Sequence, residues 1–116
     1  MKYKYLLILL TAFSTFSIAN ELDPLEILKE YVSIDTVNPP GNESNAVKFL
    51  GDILNDFGIE YKAYESAPGR GNLIARIKGG DMPALILMHH TDVVPFNAEY
   101  WISDPMVAEE INGYLY

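Results

Sequence analysis

The sequence contains no cysteine and few basic residues, and each of these shortages excludes a class of function. Without cysteine the chain cannot carry a disulfide framework, a cysteine-based zinc finger or a cysteine nucleophile. Lys and Arg total 8 against 16 Asp and Glu, so the formal net charge of the 116 residues is -8. Because phosphate neutralisation needs clustered cations, this charge excludes a nucleic-acid-binding protein that works through a general basic surface. Any metal must bind to His, Asp or Glu, and the two histidines of the sequence are His89 and His90.

The composition is otherwise that of a folded globular protein. Hydrophobic residues make up 49% of the chain and charged residues 21%, which distinguishes it from a disordered sequence. A length of 116 residues corresponds to one small domain or to part of a larger one.

Residues 1–19 have the pattern of a secretory signal peptide. Lys2 and Lys4 precede an apolar stretch over residues 5–19, which ends in small residues up to Ala19. This pattern predicts cleavage after Ala19 and a secreted or periplasmic protein. The alternative is an uncleaved anchor, but the apolar stretch is shorter than the ~20 residues that a membrane-spanning helix needs. Cleavage would leave 6 basic and 16 acidic residues, a net charge of -10, and we expect no stable membrane insertion of that product.

Hydrophobic periodicity predicts two helices in the first half of the remaining chain. The first is expected to run from an N-cap at Asp23 to about Ser33, with Glu26 reaching back to the cap as in a capping box. The second is predicted over residues 43–57, and Gly58 is its expected left-handed stop.

After residue 58 the hydrophobic period shortens to two, which predicts strands. Alternation predicts half-buried strands over residues 59–64 and 72–78. Residues 84–88 are apolar without alternation, which predicts a strand buried on both faces in the middle of a sheet. A strand over residues 106–111 is expected to enter a hairpin turn at Asn112-Gly113. This order of elements predicts an α/β layer with a mixed sheet.

Side chains that could bind a metal follow the apolar run, in the segment His89-His90-Thr91-Asp92. In extended chain residues i and i+2 share a face, so His90 and Asp92 are expected to face one way and His89 the other. A carboxylate bonded to one ring nitrogen of a histidine fixes its tautomer and makes the other nitrogen a better metal donor. A purely structural hydrogen-bonded pair is the alternative, and the residues alone leave both interpretations open.

Four segments carry a resemblance that decides between these interpretations. They are VSIDTVNPPGNE (residues 32–43), GRGNLIARIKG (residues 69–79), LILMHHTDVVP (residues 85–95), and the stretch with Trp101, Asp104-Pro105 and NGYLY (residues 112–116). In this order they resemble the zinc-dependent family that includes aminoacylase, acetylornithine deacetylase, succinyl-diaminopimelate desuccinylase and glutamate carboxypeptidase. The likeness runs from about Leu25 to Tyr116.

The resemblance implies a fold and a site. The fold is a partial three-layer α/β/α zinc-exopeptidase-like domain with a mixed sheet, of which residues 20–116 are the incomplete N-terminal part. His90 would be a ligand to one zinc of a two-zinc site, with cobalt as an alternative metal. Asp92 would be the catalytic-site carboxylate that orients His90. His89 departs from the family pattern, in which a small residue is usual at this position.

Other residues of the matched segments are interpreted as structural. Polar and turn-forming residues at 38–43, together with Asn72, are of types that loops and helix caps use in any fold. Trp101 is expected to contribute packing rather than a substrate contact.

The resemblance also implies metal-assisted hydrolysis of an amide or peptide bond in a small N-acyl amino acid or peptide. The family's bridging Asp, its Glu general base and its remaining ligands would follow Tyr116, so the 116-residue chain is expected to be inactive alone. A homodimer would form through a domain absent from this sequence. The alternative is a non-catalytic exported binding domain of the same fold. A serine hydrolase is disfavoured because no G-x-S-x-G segment occurs.

Overall fold

The computed structural model describes residues 22–116. The predicted signal peptide and its cleavage site after Ala19 lie outside the described residues. Among residues 22–116, neither helix combines the length and the apolar character needed to cross a bilayer. The elements in chain order are α1 (Pro24–Val32), α2 (Glu43–Asp56), β1 (Tyr61–Glu65), β2 (Gly71–Ala75), a single 3-10 turn (Ala98–Tyr100), β3 (Glu110–Ile111) and β4 (Tyr114–Leu115).

Helix α1 begins and ends as its capping residues predict. The Asp23 carboxylate accepts a hydrogen bond from the Leu25 backbone N–H at 2.8 Å, and Ser33 is the C-cap. The prediction that Glu26 reaches back to the cap is wrong. Its carboxylate instead accepts a hydrogen bond from Lys29 Nζ at 2.7 Å, because an opposite charge three residues along the helix lies within direct reach.

Helix α2 confirms the second predicted helix. Phe57 is its C-cap, and Gly58 follows with φ +64°, the left-handed conformation in which glycine is least strained. Within α2, Ala46 is fully buried. Ser44, in the first turn, donates its backbone N–H to the Gly69 carbonyl at 2.9 Å. The start of α2 is therefore hydrogen-bonded to the loop between the two strands.

Strands β1 and β2 form an antiparallel hairpin packed on α2. The register pairs Tyr61 with Ala75 at one end and Glu65 with Gly71 at the other. Both predicted strands form, β1 over residues 61–65 and β2 with its end three residues before the predicted limit at residue 78. The predicted half-burial is wrong for β1, in which residues 62–65 are all exposed. Gly71 allows close contact with the helix, since a Cβ there would lie 2.8 Å from the Ser44 Cα.

The apolar run at residues 84–88 does not form the predicted buried strand. These residues belong to no helix or strand, and Leu85 to Met88 are between 81% and 92% exposed. The prediction is wrong because an apolar run reports a preference for burial, whereas a central strand also needs neighbours. Within residues 22–116, β1 pairs with β2 and β3 with β4, each in its own two-stranded antiparallel sheet. The structure thus has mixed α/β content, while the single mixed sheet and the three layers stay predictions.

A short parallel contact brings the loop after α1 beside the His-x-Asp segment. Val37 and Val93 form an isolated parallel bridge. Val93 donates its N–H to the Thr36 carbonyl at 3.2 Å, and Asn38 donates its own to the Val93 carbonyl at 2.9 Å. The buried Thr36 hydroxyl adds a 2.7 Å hydrogen bond to the Thr91 carbonyl. These bonds fix the position of residues 36–38 relative to the candidate site.

The predicted hairpin at the end of the sequence is confirmed over a shorter length. Strands β3 and β4 pair Glu110 with Leu115 and Ile111 with Tyr114. Asn112 has φ 53° and Gly113 φ 79°, the positive values that a tight two-residue hairpin turn requires.

Candidate functional site

The centre of the candidate site is the pair His90 and Asp92. His90 Nδ1 lies 2.9 Å from Asp92 Oδ1 and 2.9 Å from the Asp92 main-chain oxygen. Both neighbours of Nδ1 are acceptors, so the nitrogen must carry the proton. The lone pair of the ring is then on Nε2, and the His90 side chain is 85% exposed. The structure therefore brings the two predicted residues together in the tautomer that a metal ligand needs.

His89 lies apart from this pair. Its ring meets the Tyr31 ring of α1 edge-on at a centroid distance of 6.1 Å. Its Nδ1 is 3.3 Å from the His90 main-chain oxygen. The two adjacent histidines thus have different surroundings, although neither lies in a strand.

The second oxygen of Asp92 is held by a residue from the loop before α2. Asn38 Nδ2 donates a hydrogen bond to Asp92 Oδ2 at 2.9 Å. The hydrogen bond from Asn38, followed by the one from His90, holds the pKa of Asp92 below its ordinary value. Asp92 is therefore a carboxylate with a partner on each oxygen, and its side chain is 34% exposed.

Arg70 contacts the other end of the Asn38 amide, and Glu43 contacts Arg70. Arg70 Nη1 donates to Asn38 Oδ1 at 3.0 Å. Arg70 Nε forms an ion pair with Glu43 Oε2 at 2.9 Å, and the Glu43 side chain is only 7% exposed. Glu43 is the first residue of α2, where the positive end of the helix dipole favours a carboxylate. We call His90, Asp92, Asn38, Arg70 and Glu43 the polar chain.

Gly41 provides the space in which Arg70 and Glu43 meet. Its φ is +77°, and a Cβ at this position would lie 2.8 Å from Glu43 Oε1 and 3.1 Å from Arg70 Cζ. A side chain there would therefore be strained by its backbone conformation and would also collide with the ion pair.

One residue of the segment 38–43, interpreted as structural from the sequence, contacts the candidate pair. Asn38 touches Asp92 directly, which sequence reasoning missed because loop residues of this type are common in any fold. The available signal was the occurrence of N-P-P-G-x-E in order with H-x-D in one chain. Asn72, also interpreted as structural, donates a hydrogen bond from its amide to the Arg70 carbonyl at 3.4 Å. Trp101 packs edge-on against Phe96, with ring centroids 6.3 Å apart.

An apolar cavity of about 400 Å³ opens beside the pair. His90 and Asp92 lie on its wall, and its apolar lining includes Tyr31, Phe96 and Trp101. Tyr31 has its hydroxyl buried without a hydrogen-bond partner in the described part of the chain, and desolvation raises its pKa. The pair therefore lies between the apolar cavity and the other three residues of the polar chain.

The described residues can be compared with the ligand set that a metal would need. Over residues 22–116 no group of three or more His, Asp or Glu side chains is placed to hold an ion. A catalytic zinc typically takes three protein ligands. His90, with Nδ1 occupied and Nε2 free, fits one of these positions.

No family model matches the chain. It is 30% identical to aminoacylase-1 from Mus musculus over 100 residues, which is 84% of this chain and 24% of that protein. It is 33% identical over 97 residues to succinyl-diaminopimelate desuccinylase from Wolbachia pipientis, covering 83% of this chain and 24% of that protein. Acetylornithine deacetylase from Vibrio atlanticus is 30% identical over 98 residues, which is 79% of this chain and 25% of that protein. The chain thus spans about a quarter of the length of these relatives.

Proposed function

We propose that the full-length protein is a metal-dependent hydrolase of amide bonds, because this chain is homologous to the family of aminoacylase-1, succinyl-diaminopimelate desuccinylase and acetylornithine deacetylase. The observation that carries the proposal is the pair His90 and Asp92. Its hydrogen bond holds the proton on Nδ1 and leaves the Nε2 lone pair available.

His90 Nε2 is the proposed ligand to one zinc of a two-zinc site, with cobalt as the alternative metal. Bound zinc supplies Lewis-acid polarisation of a carbonyl and a water of lowered pKa. The role of this chain is to orient the ligand. Asp92 accepts the hydrogen bond from Nδ1–H, which fixes the ring and strengthens the donor character of Nε2. The other ligands and the general base lie outside residues 22–116 in this proposal.

The proposed substrate is a small N-acyl amino acid or peptide, because the relatives are an aminoacylase, a desuccinylase and a deacetylase. The 116-residue chain alone is proposed to be inactive, since one imidazole cannot replace the ligand set of a catalytic zinc. We also propose that the full-length protein forms a homodimer through a part of the protein outside this sequence.

We propose in addition that the protein is exported and that the mature chain begins at Asn20.

Three variants of the full-length protein test the metal assignment. His90→Ala should abolish activity and remove one metal ion, because it deletes the Nε2 donor. Its matched control is His89→Ala, which should leave metal content nearly unchanged because His89 packs on Tyr31. Asp92→Asn keeps the shape but removes the charge, and such losses behind a ligand cost ~10–100-fold in affinity or activity.

The measurements are metal stoichiometry and kcat for the three variants side by side. If His89→Ala removes zinc as thoroughly as His90→Ala, the ligand assignment is wrong. A full-length protein that binds no zinc and hydrolyses no N-acyl amino acid would favour the non-catalytic binding domain instead.

A further inference from the structure

We propose that Asn38 and Arg70 are positioning residues for the metal ligand and act on His90 through Asp92. The proposal rests on the proposed function for its consequence in metal binding. Its structural basis is the polar chain, in which consecutive polar groups from His90 to Glu43 lie 2.9–3.0 Å apart.

The orientation of the Asn38 amide follows from its two partners. Nδ2 faces the Asp92 carboxylate, which can only accept, and Oδ1 faces the Arg70 guanidinium, which can only donate. A flipped amide would set a donor against the guanidinium and an acceptor against the carboxylate. Arg70 and Asp92 therefore favour the same orientation of the Asn38 amide, and Arg70 reinforces the one in which Nδ2 meets Asp92.

Arg70 is itself held from a second element. Its Nε lies against the buried Glu43 carboxylate at the start of α2, and Nη1 also reaches the Pro40 carbonyl at 3.4 Å. The contact with Glu43 is an ion pair without hydrogen-bond geometry, so it attracts the guanidinium by charge. The guanidinium is planar and rigid, so the position of Nε beside Glu43 limits where Nη1 can meet Asn38. The position of α2 is thereby transmitted to the Asp92 carboxylate.

The consequence concerns the freedom of Asp92. With Asn38 on Oδ2 and His90 on Oδ1, the carboxylate has a partner on both sides and is held against rotation. Without the Asn38 donor, Oδ1 is no longer held at the ring. Nδ1–H then keeps only the neutral main-chain oxygen of Asp92, also at 2.9 Å. A neutral acceptor polarises the imidazole less than a carboxylate does, so Nε2 becomes a weaker ligand.

Asn38→Asp in the full-length protein is the central test. Aspartate matches asparagine in size and can still accept from Arg70, but it replaces the donor to Asp92 by a second carboxylate. The matched control is Asn72→Asp, which makes the same change of charge at an amide whose hydrogen bond goes to the Arg70 carbonyl. The two readouts are zinc affinity by chelator competition and the ring ¹⁵N resonances of His90 in metal-free protein, assigned with His90→Ala.

We expect Asn38→Asp to weaken zinc binding about 10-fold or more, as for other residues behind a ligand. It should also shift the His90 ring ¹⁵N resonances, because Nδ1–H then has a neutral acceptor in place of the carboxylate. Asn72→Asp should do neither. A His90 spectrum in Asn38→Asp identical to that of the unmodified protein would overturn the proposal.

The ring resonances separate this proposal from the proposed function, because they are recorded without metal. If His90→Ala retains all its zinc, the proposed function fails, while shifted resonances in Asn38→Asp would still support the positioning role. Should Asn38→Asp fail to fold, Arg70→Lys is the second variant. Lysine keeps a charge beside Glu43 but lacks the fork that also reaches Asn38, so the resonances should move in the same direction. Unchanged resonances in Arg70→Lys would overturn the proposal.

Discussion

Replacement of Gly41 by alanine tests whether the loop before α2 serves the site as well as the fold. Gly41 has φ +77°, and Gly58 provides a control with φ +64°. A left-handed conformation costs a residue with a Cβ roughly 1–2 kcal/mol, so both changes carry a similar backbone strain. The surroundings differ. At Gly58 an added Cβ meets nothing within 4 Å, whereas at Gly41 it lies 2.8 Å from Glu43 Oε1 and 3.1 Å from Arg70 Cζ.

The expected results follow from this difference. Gly58→Ala should lower the free energy of unfolding by about 1–2 kcal/mol and leave zinc affinity unchanged. Gly41→Ala should lower the free energy of unfolding by ~1–3 kcal/mol more than Gly58→Ala does, which is the usual range for overpacking. The Glu43 carboxylate is the end of a flexible side chain, but it is buried and can move only by leaving Arg70. Gly41→Ala should therefore also weaken zinc binding, through Arg70 and Asn38.

The assay is equilibrium urea unfolding of both variants in the full-length protein, with zinc affinity measured on the same samples. Equal losses of stability in the two variants would show that the collision at Gly41 is relieved without cost. A loss of stability at Gly41 without loss of zinc affinity would show that Arg70 does not transmit the displacement. Either result would refute the reasoning.

Two predictions concern other parts of the chain. The Ser44 hydroxyl and the Gly69 N–H donate hydrogen bonds to Glu65 Oε1 at 2.6 Å and 3.0 Å, and both lower the pKa of Glu65 from its ordinary value. The ionised Glu65 therefore stabilises the folded protein. This contribution is present above the unfolded-state pKa and is lost as pH falls through the folded-state pKa. Ser44→Ala should therefore reduce stability to urea at neutral pH and have little effect once Glu65 is protonated, and a pH-independent loss would contradict the assignment. For export, N-terminal sequencing of the secreted or periplasmic protein should find Asn20 first. Recovery of a membrane-embedded chain that retains residues 1–19 would show an anchor instead.

The elements that the sequence predicted correctly depend on local signals. Helix α1 begins at an Asp-Pro pair, α2 is followed by a glycine, and the last hairpin turns at Asn112-Gly113. Each signal acts within a few residues, where backbone conformation and capping bonds are decided. The prediction of a buried strand at residues 84–88 was wrong because the burial of a strand depends on elements distant in the chain. Its composition specifies that it should be covered, but within residues 22–116 the strands pair with each other instead.

The candidate site shows the same division between local and distant information. His90 and Asp92 are two residues apart, so their contact is local, and the sequence predicted that they face one way. The bond from Asn38 to Asp92 spans 54 residues and the one from Arg70 to Asn38 spans 32, and no periodicity reports such contacts. The co-occurrence of the N-P-P-G-x-E and H-x-D segments has a physical explanation in these bonds. Asn38 holds Asp92, Gly41 leaves the space, and the Glu of the segment holds the arginine that orients Asn38. A single network therefore accounts both for the loop before α2 and for the tautomer of His90, and a change in the loop is expected to alter the proposed metal ligand.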